Sequence, residues 1–144
     1  EDRFHMVELA VDNVVGFTAS DVDIVRDGST YTVDTLSDLR QQLGSEAELF
    51  LIVGADSAAS MDQWIRSEEI GDLTSVVAVG RPGQVFDPTS LASSHPASGA
   101  EYVEGPMVDV SATRVRGFLS AGKPVDELVA RAVAEYIEKQ GLYR

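Results

Sequence analysis

Cysteine is absent from the 144 residues, which excludes a disulfide framework and any thiolate metal site. Histidine is nearly absent too: His5 and His95 stand far apart in the sequence and show no metal-ligand spacing. No apolar run approaches the roughly 18 residues of a membrane span, and no signal-peptide pattern opens the chain. A membrane is therefore not an expected partner, and a cytoplasmic location is expected. Positive charge is scarce, with 11 Lys+Arg against 24 Asp+Glu and a net charge of -13. A chain of that sign repels nucleic acid, whose binding rests mainly on phosphate neutralisation, so nucleic acid is not an expected partner either. What is present is ordinary: 44% hydrophobic and 24% charged residues, enough to build the core of one domain over residues 1–144.

The few cations are unevenly placed. Arg3, Arg26, Arg40, Arg66 and Arg81 precede position 114, after which Arg114, Arg116 and Lys123 fall within ten residues. That cluster is either a site for a small anion or three solvated side chains on a helix.

Hydrophobic periodicity places the elements. Phe4, Val7 and Val11 recur at helical spacing from the first residue onward, and residues 14–25 read as a strand-like stretch. Val33, Leu36, Leu39 and Leu43 form the stripe of a helix over 30–43 that Gly44 stops. The run Leu49–Val53 reads as a strand covered on both faces, and residues 75–79 as another. A helical stretch over 68–73 separates them, and residues 84–99, rich in Ser, Pro and Gly, read as a loop. Short strands are expected at 101–103 and 107–110, then a helix capped by Ser111 through Ala121 and a last helix over 125–140. Strands alternating with helices predict an α/β fold, a Rossmann-like, doubly wound, mostly parallel sheet with helices on both faces.

In open parallel sheets, ligands bind beyond the carboxyl ends of the strands. Three motifs fall there. Val110-Ser-Ala-Thr-Arg-Val-Arg116 offers two hydroxyls, the outward amides of a helix start and two guanidinium groups, a combination suited to phosphate. The same residues also suit a plain serine cap with surface arginines. Gly54-Ala-Asp-Ser57 follows a strand: glycine permits close approach, and a carboxylate there can accept from ribose hydroxyls or only cap a helix. Ser29-Thr-Tyr-Thr-Val-Asp-Thr35 opens a helix and suits a small carboxylate, while Trp64, the sole tryptophan, can stack a flat ring or fill the core. No Ser-His-Asp or Cys-His arrangement and no Walker lysine motif occurs. The residues thus point to a nucleotide-sized anion site and to no catalytic side chain.

In this order the motifs resemble those of the bacterial nicotinate-nucleotide adenylyltransferases of the nucleotidyltransferase superfamily. The likeness runs through Asp2–Ala10, Ser29–Leu36, Phe50–Ser57, Trp64, Gly80–Gly83, Val110–Arg116 and Gln140–Arg144, with Ala112 where the superfamily carries a second serine. The resemblance implies that Ser111, Thr113 and Arg116 bind ATP phosphates and that Gly54 and Asp56 meet the adenosine ribose. It implies that Thr32, Thr35 and the chain at Trp64 and Ile65 hold the nicotinate ring and its carboxylate, with Arg81 a further cation on that side. The implied partners are ATP, carrying Mg²⁺ on its phosphates, and nicotinate mononucleotide, joined with release of pyrophosphate. Phosphopantetheine or nicotinamide mononucleotide as acceptor, or a non-catalytic nucleotide-binding fragment, are the alternatives. The family's Gly-Gly-Thr-Phe-Asp-Pro-x-His-x-Gly-His motif has no counterpart in these residues. The resemblance therefore implies a first βα unit missing from this chain, no catalytic residue within it, and no adenylyl transfer by the 144 residues alone. A preceding segment, a partner chain such as a second copy in a homo-oligomer, or a rearranged strand is expected to fill the gap.

Overall fold

The computed structural model describes residues 1–80, 85–106, 108 and 110–143. Its elements run α1 (Asp2–Val11), α2 (Thr32–Leu43), β1 (Phe50–Gly54), α3 (Ala55–Ala59), α4 (Ile70–Leu73), β2 (Ser75–Gly80), β3 (Glu101–Glu104), α5 (Ala112–Ser120) and α6 (Arg131–Gln140). Short 3-10 turns occupy Met61–Gln63, Ser67–Glu69 and Pro88–Ser90. They group into two compact units, residues 22–107 and residues 1–21 with 108–144.

The larger unit holds the sheet, in the order β1-β2-β3, with both pairings parallel. The parallel α/β expectation is borne out. The register sets Phe50 opposite Ser75 and Gly54 opposite Val79, so β1 and β2 end at one edge. Gly80 pairs with Glu104, which brings the end of β3 to the same edge. Beneath the sheet the core is built from Val33 and Leu36 of α2, Ala58, Met61, Ile70, Val76 and Ala78, together with Ala97 from the 84–99 segment. Val33 and Leu36 are the buried members of the helical stripe read from the sequence. Gly44, at φ 84°, ends α2 in a conformation that costs other L-residues more, and its N–H donates to the Arg40 carbonyl. The Arg40 guanidinium in turn donates to the carbonyls of Ala47 and, at 2.7 Å, Leu73, stitching the end of α2 to the residues that precede β1 and β2.

One glycine is required by space and not by φ. A Cβ at Gly80 would fall on the Tyr102 hydroxyl and lie 2.6 Å from its ring. Gly80 therefore lets β2 run flush against the β3 side chain.

The smaller unit packs α1 with α6. The Tyr136 hydroxyl donates to Asp2 at 2.7 Å, and the His5 ring meets the Tyr136 ring edge-on at 4.7 Å. Val133, Ala134 and Ile137 are the buried face of α6, and Val125, ahead of the helix, is buried as well. Gly141, in the left-handed region, closes α6 while the Leu142 N–H returns to the Ile137 carbonyl.

Four expectations are corrected. Residues 14–25 contain no strand: the Val14 and Phe17 N–H groups close tight turns, Gly16 sits at φ 86°, and Val15 is fully exposed. β1 is not covered on both faces. It is an outer strand of the described sheet, with Leu51 and Val53 on the core and Phe50 and Ile52 exposed by 58% and 69%. Val108 and Val110 are not in a strand, while residues 107 and 109 lie outside the described ones. The last helix starts at Arg131 and not at 125, because the turn closed on the Val125 carbonyl is followed by extended backbone at Ala130.

Met61 and Ile70 are fully buried, so truncation leaves a cavity as well as losing transfer free energy. Ile70→Ala is expected to lower unfolding stability by about 2–5 kcal/mol. Urea titration reads this directly, and a loss below roughly 1 kcal/mol would mean the site collapses around the missing atoms.

Candidate nucleotide site

The phosphate motif lies in the smaller unit and begins α5. Ser111 has extended backbone, and its Oγ accepts from the Arg114 N–H at 3.1 Å. It is the cap the sequence predicts. Thr113 and Arg116 are exposed in the first turns. The two arginines differ in use. Arg114 lays its guanidinium over the Phe118 ring at 5.6 Å, where the Lys123 ammonium also sits, 5.5 Å from the ring centre. Arg116 is exposed and has neither a ring contact nor an ion pair among the described residues. A cation with no carboxylate partner among the described residues, five residues past a helix cap in a chain of net charge -13, is an available anion ligand.

The ribose motif lies in the larger unit, where β1 passes into α3. Gly54 ends the strand, and a Cβ there would meet nothing within 4 Å, so its Cα faces open space. Asp56 is exposed in the first turn of α3, its backbone carbonyl accepting from the Ser60 hydroxyl at 3.2 Å. Thus the structure brings Gly54 and Asp56 together at the carboxyl end of β1, the edge where the parallel register also ends β2 and β3.

The acceptor motif lies in the same unit. Thr32 is the first residue of α2, and no side chain caps that end. The Asp34 and Thr35 N–H groups donate to the Tyr31 carbonyl, so the Thr32 and Val33 amides are the ones the α2 start keeps for a ligand. Thr35 is committed elsewhere: its hydroxyl donates to Asp23, which also accepts from Arg26 at 3.4 Å. Arg26 pairs with Asp38 as well, and this hydrogen bond raises the guanidinium pKa above its ordinary value. A hydroxyl has one proton to donate, so Thr35 meets a carboxylate only by releasing Asp23. Trp64 is half-buried against the core and Ile65 is 53% exposed. Arg81 lies outside the described residues.

What the sequence did not disclose is how these pieces are tied. Arg66 follows Ile65 in the left-handed region, at φ 53° and ψ 39°. That conformation costs a non-glycine residue roughly 1–2 kcal/mol. Its guanidinium donates twice to Glu69, at 2.7 Å each, and once to Asp34 at 2.8 Å. Asp34 is in the first turn of α2, two residues from Thr32. The Glu69 hydrogen bonds hold the Arg66 pKa above its ordinary value and, in return, the Glu69 carboxyl below its own. The pair is thus present above the ordinary carboxylate range and is lost only when pH falls below it. The three-residue spacing of Arg66 and Glu69 was the one signal available, and nothing in the sequence announced Asp34. His95 is also more than a loop residue: its side chain is largely buried, its Nδ1 accepts from the Ala97 N–H at 3.1 Å, and its Nε2 lies 3.5 Å from Asp62. It fixes the turn that puts Ala97 in the core.

The cytidylyltransferase-like family model matches residues 1–118. A protein of Acidothermus cellulolyticus named probable nicotinate-nucleotide adenylyltransferase is 40% identical, over 100% of this chain and 70% of its own length. One of the same name from Streptomyces coelicolor is 42% identical, over 100% of this chain and 74% of its own length. Among solved structures, the Plasmodium falciparum nicotinic acid mononucleotide adenylyltransferase complexed with APC is similar with a TM-score of 0.74. It is 18% identical, over 99% of this chain and 74% of that one, a likeness of fold.

Ser111 makes one checkable contribution apart from any ligand. Ser111→Ala removes the acceptor for the Arg114 N–H and is expected to cost about 1 kcal/mol, while Ser111→Gly costs a few tenths. Equal denaturation midpoints for wild type and the alanine variant would show that the cap contributes nothing.

Proposed function

The chain belongs to the nicotinate-nucleotide adenylyltransferases, within the cytidylyltransferase-like family, and from that premise we propose that it serves the transfer of the adenylyl group of ATP to nicotinate mononucleotide, a reaction the 144 residues alone are expected not to carry out. A phosphate oxygen of the mononucleotide attacks the α-phosphorus of ATP. The bond from that phosphorus to the bridging oxygen breaks, pyrophosphate leaves, and nicotinate adenine dinucleotide forms. Such a displacement needs alignment and charge neutralisation and no protein nucleophile. This agrees with residues that offer hydroxyls, amides and cations but no nucleophile–base pair.

The observation that carries the donor half is Arg116, a cation past the Ser111 cap with no carboxylate to neutralise it among the described residues. In this proposal Ser111, Thr113 and Arg116 bind the ATP phosphates, and Arg116 stabilises charge that grows on them as the bond breaks. Gly54 allows the ribose to approach, and Asp56 accepts from its hydroxyls. Thr32, the amides at the start of α2, and the chain at Trp64 and Ile65 hold the nicotinate ring and its carboxylate. Thr35 and Arg81 are assigned to the same side. Among the described residues no group of three or more His, Asp or Glu side chains gathers to hold a metal ion. Mg²⁺ enters the proposal as the companion of the ATP phosphates, part of the substrate. No helix among the described residues is long and apolar enough to cross a membrane, and a cytoplasmic place of action is part of the same reading.

Two measurements test it. Arg116→Ala in the full-length enzyme is expected to lose about 2–4 kcal/mol of transition-state stabilisation, read as kcat/KM for ATP. A change within about threefold, under roughly 0.7 kcal/mol, would make Arg116 a solvated side chain. The acceptor half is tested by comparing nicotinate mononucleotide with its amide and with phosphopantetheine. The acid is expected to give the highest kcat/KM, because a site of donors left facing an amide nitrogen loses hydrogen bonds. Equal values for acid and amide would replace the acid-specific reading with a general mononucleotide adenylyltransferase, and turnover of phosphopantetheine alone would replace the acceptor altogether.

A further inference from the structure

We propose that Arg66 is a positioning residue of the acceptor site: it clamps the Trp64–Ile65 segment to the first turn of α2 and so fixes the geometry that selects the acceptor. The inference rests on the reading of Thr32, Trp64 and Ile65 as acceptor-binding residues. Three independent features meet at this residue. Its backbone is in the left-handed region, one of two non-glycine residues with positive φ among those described. Strain of that kind persists where surrounding structure over-determines it, and it concentrates at ligand clamps. Its side chain spends three donors on two carboxylates, a bidentate fork to Glu69 and a single bond to Asp34. And its two carboxylates belong to different elements, Glu69 to the 3-10 turn that leads into α4 and Asp34 to α2, 32 residues earlier in the chain.

A surface ion pair would normally add little. Here the value is geometric. Residues 64–66 form the connection between two 3-10 turns, and Trp64 leaves the first with extended backbone, φ -79° and ψ 152°. Trp64 packs against the core through its side chain, but Ile65 is half exposed. The Trp64 N–H is taken by the Met61 carbonyl, and the Glu69 N–H by the Arg66 carbonyl. Between them, the Arg66 side chain ties this connection to α2, where Thr32 and the uncapped amides sit. With the link in place, donors from the two segments keep a fixed separation, and a planar acid can bridge them without an ordering cost. Arg66 is not itself the ligand of that acid. Two carboxylates already neutralise it, so it acts on the acceptor by placing the residues around it.

The test uses Arg66→Ala, Arg66→Lys and Asp34→Asn in the full-length enzyme, with nicotinate mononucleotide and ATP varied separately. Arg66→Ala is expected to raise KM for the mononucleotide at least fivefold while KM for ATP and kcat stay within about twofold. Lysine keeps the charge but lacks the fork, so Arg66→Lys is expected to recover only part of the loss, and Asp34→Asn to give a smaller rise of the same kind. A mononucleotide KM within twofold of wild type in Arg66→Ala, or an equal rise in both KM values together with a lowered thermal midpoint, overturns the proposal. Acrylamide quenching of Trp64, the sole tryptophan of these 144 residues, needs no substrate. It is expected to rise in Arg66→Ala as the segment loosens. Should the wild type fail to use nicotinate mononucleotide, the functional reading falls by itself. The clamp is then judged by quenching alone, with an unchanged quenching constant overturning it.

Discussion

Parallel pairing is the constraint on which the larger unit depends. In a parallel sheet every strand must be re-entered from the same end, so the connections carry helices and all carboxyl ends share one edge. The register of β1, β2 and β3 puts Gly54, Gly80 and Glu104 at that edge. The residues just past each strand then become candidate ligand contacts, and Gly54 with Asp56 stands there for that reason alone. The helix α3 and the turns after it are the obligatory return path from β1 to β2, and they bring Met61, Trp64 and Ile70 along. Burying Met61 and Ile70 under the sheet fixes that path.

The second constraint is charge. A chain of net charge -13 proposed to bind two anionic substrates must keep some cations out of internal pairs. The structure distributes them unequally. Arg26 and Arg66 are bound by carboxylates, Arg40 by carbonyls, and Arg131 by Glu135 at 2.8 Å. The Arg114 guanidinium and the Lys123 ammonium both lie over the Phe118 ring. Arg116 is left exposed past a helix start whose amides carry partial positive charge. Arg116 is thus the α5 cation that remains exposed for an anion, in a chain whose net charge is -13.

How far the sequence discloses this differs by residue. The Val33 and Leu36 stripe, the Gly44 stop and the Ser111 cap were legible because each is set by neighbours within a few positions. The run at 49–53 was legible as a strand but not as an outer one, since continuous apolarity cannot tell how many neighbours a strand has. Residues 14–25 have strand-like composition, yet Gly16 and the polar residues around it favour turns when no strand lies alongside. The Thr35–Asp23 and Arg66–Asp34 hydrogen bonds join residues 12 and 32 positions apart, and no periodicity encodes such pairs. The candidate site was therefore readable in its hydroxyls, glycine and tryptophan, and unreadable in the ionic links that hold two of its segments together.

Adenylyl transfer is tested most directly by the fate of one phosphorus atom. Full-length enzyme should be given nicotinate mononucleotide and ATP labelled at the α-phosphorus in one reaction and at the γ-phosphorus in another, with products separated and counted. Adenylyl transfer predicts that all transferred α-label appears in nicotinate adenine dinucleotide and that the γ-label appears in pyrophosphate in equal amount. Label passing from the γ-position to the mononucleotide, or release of ADP with no dinucleotide formed, would contradict it.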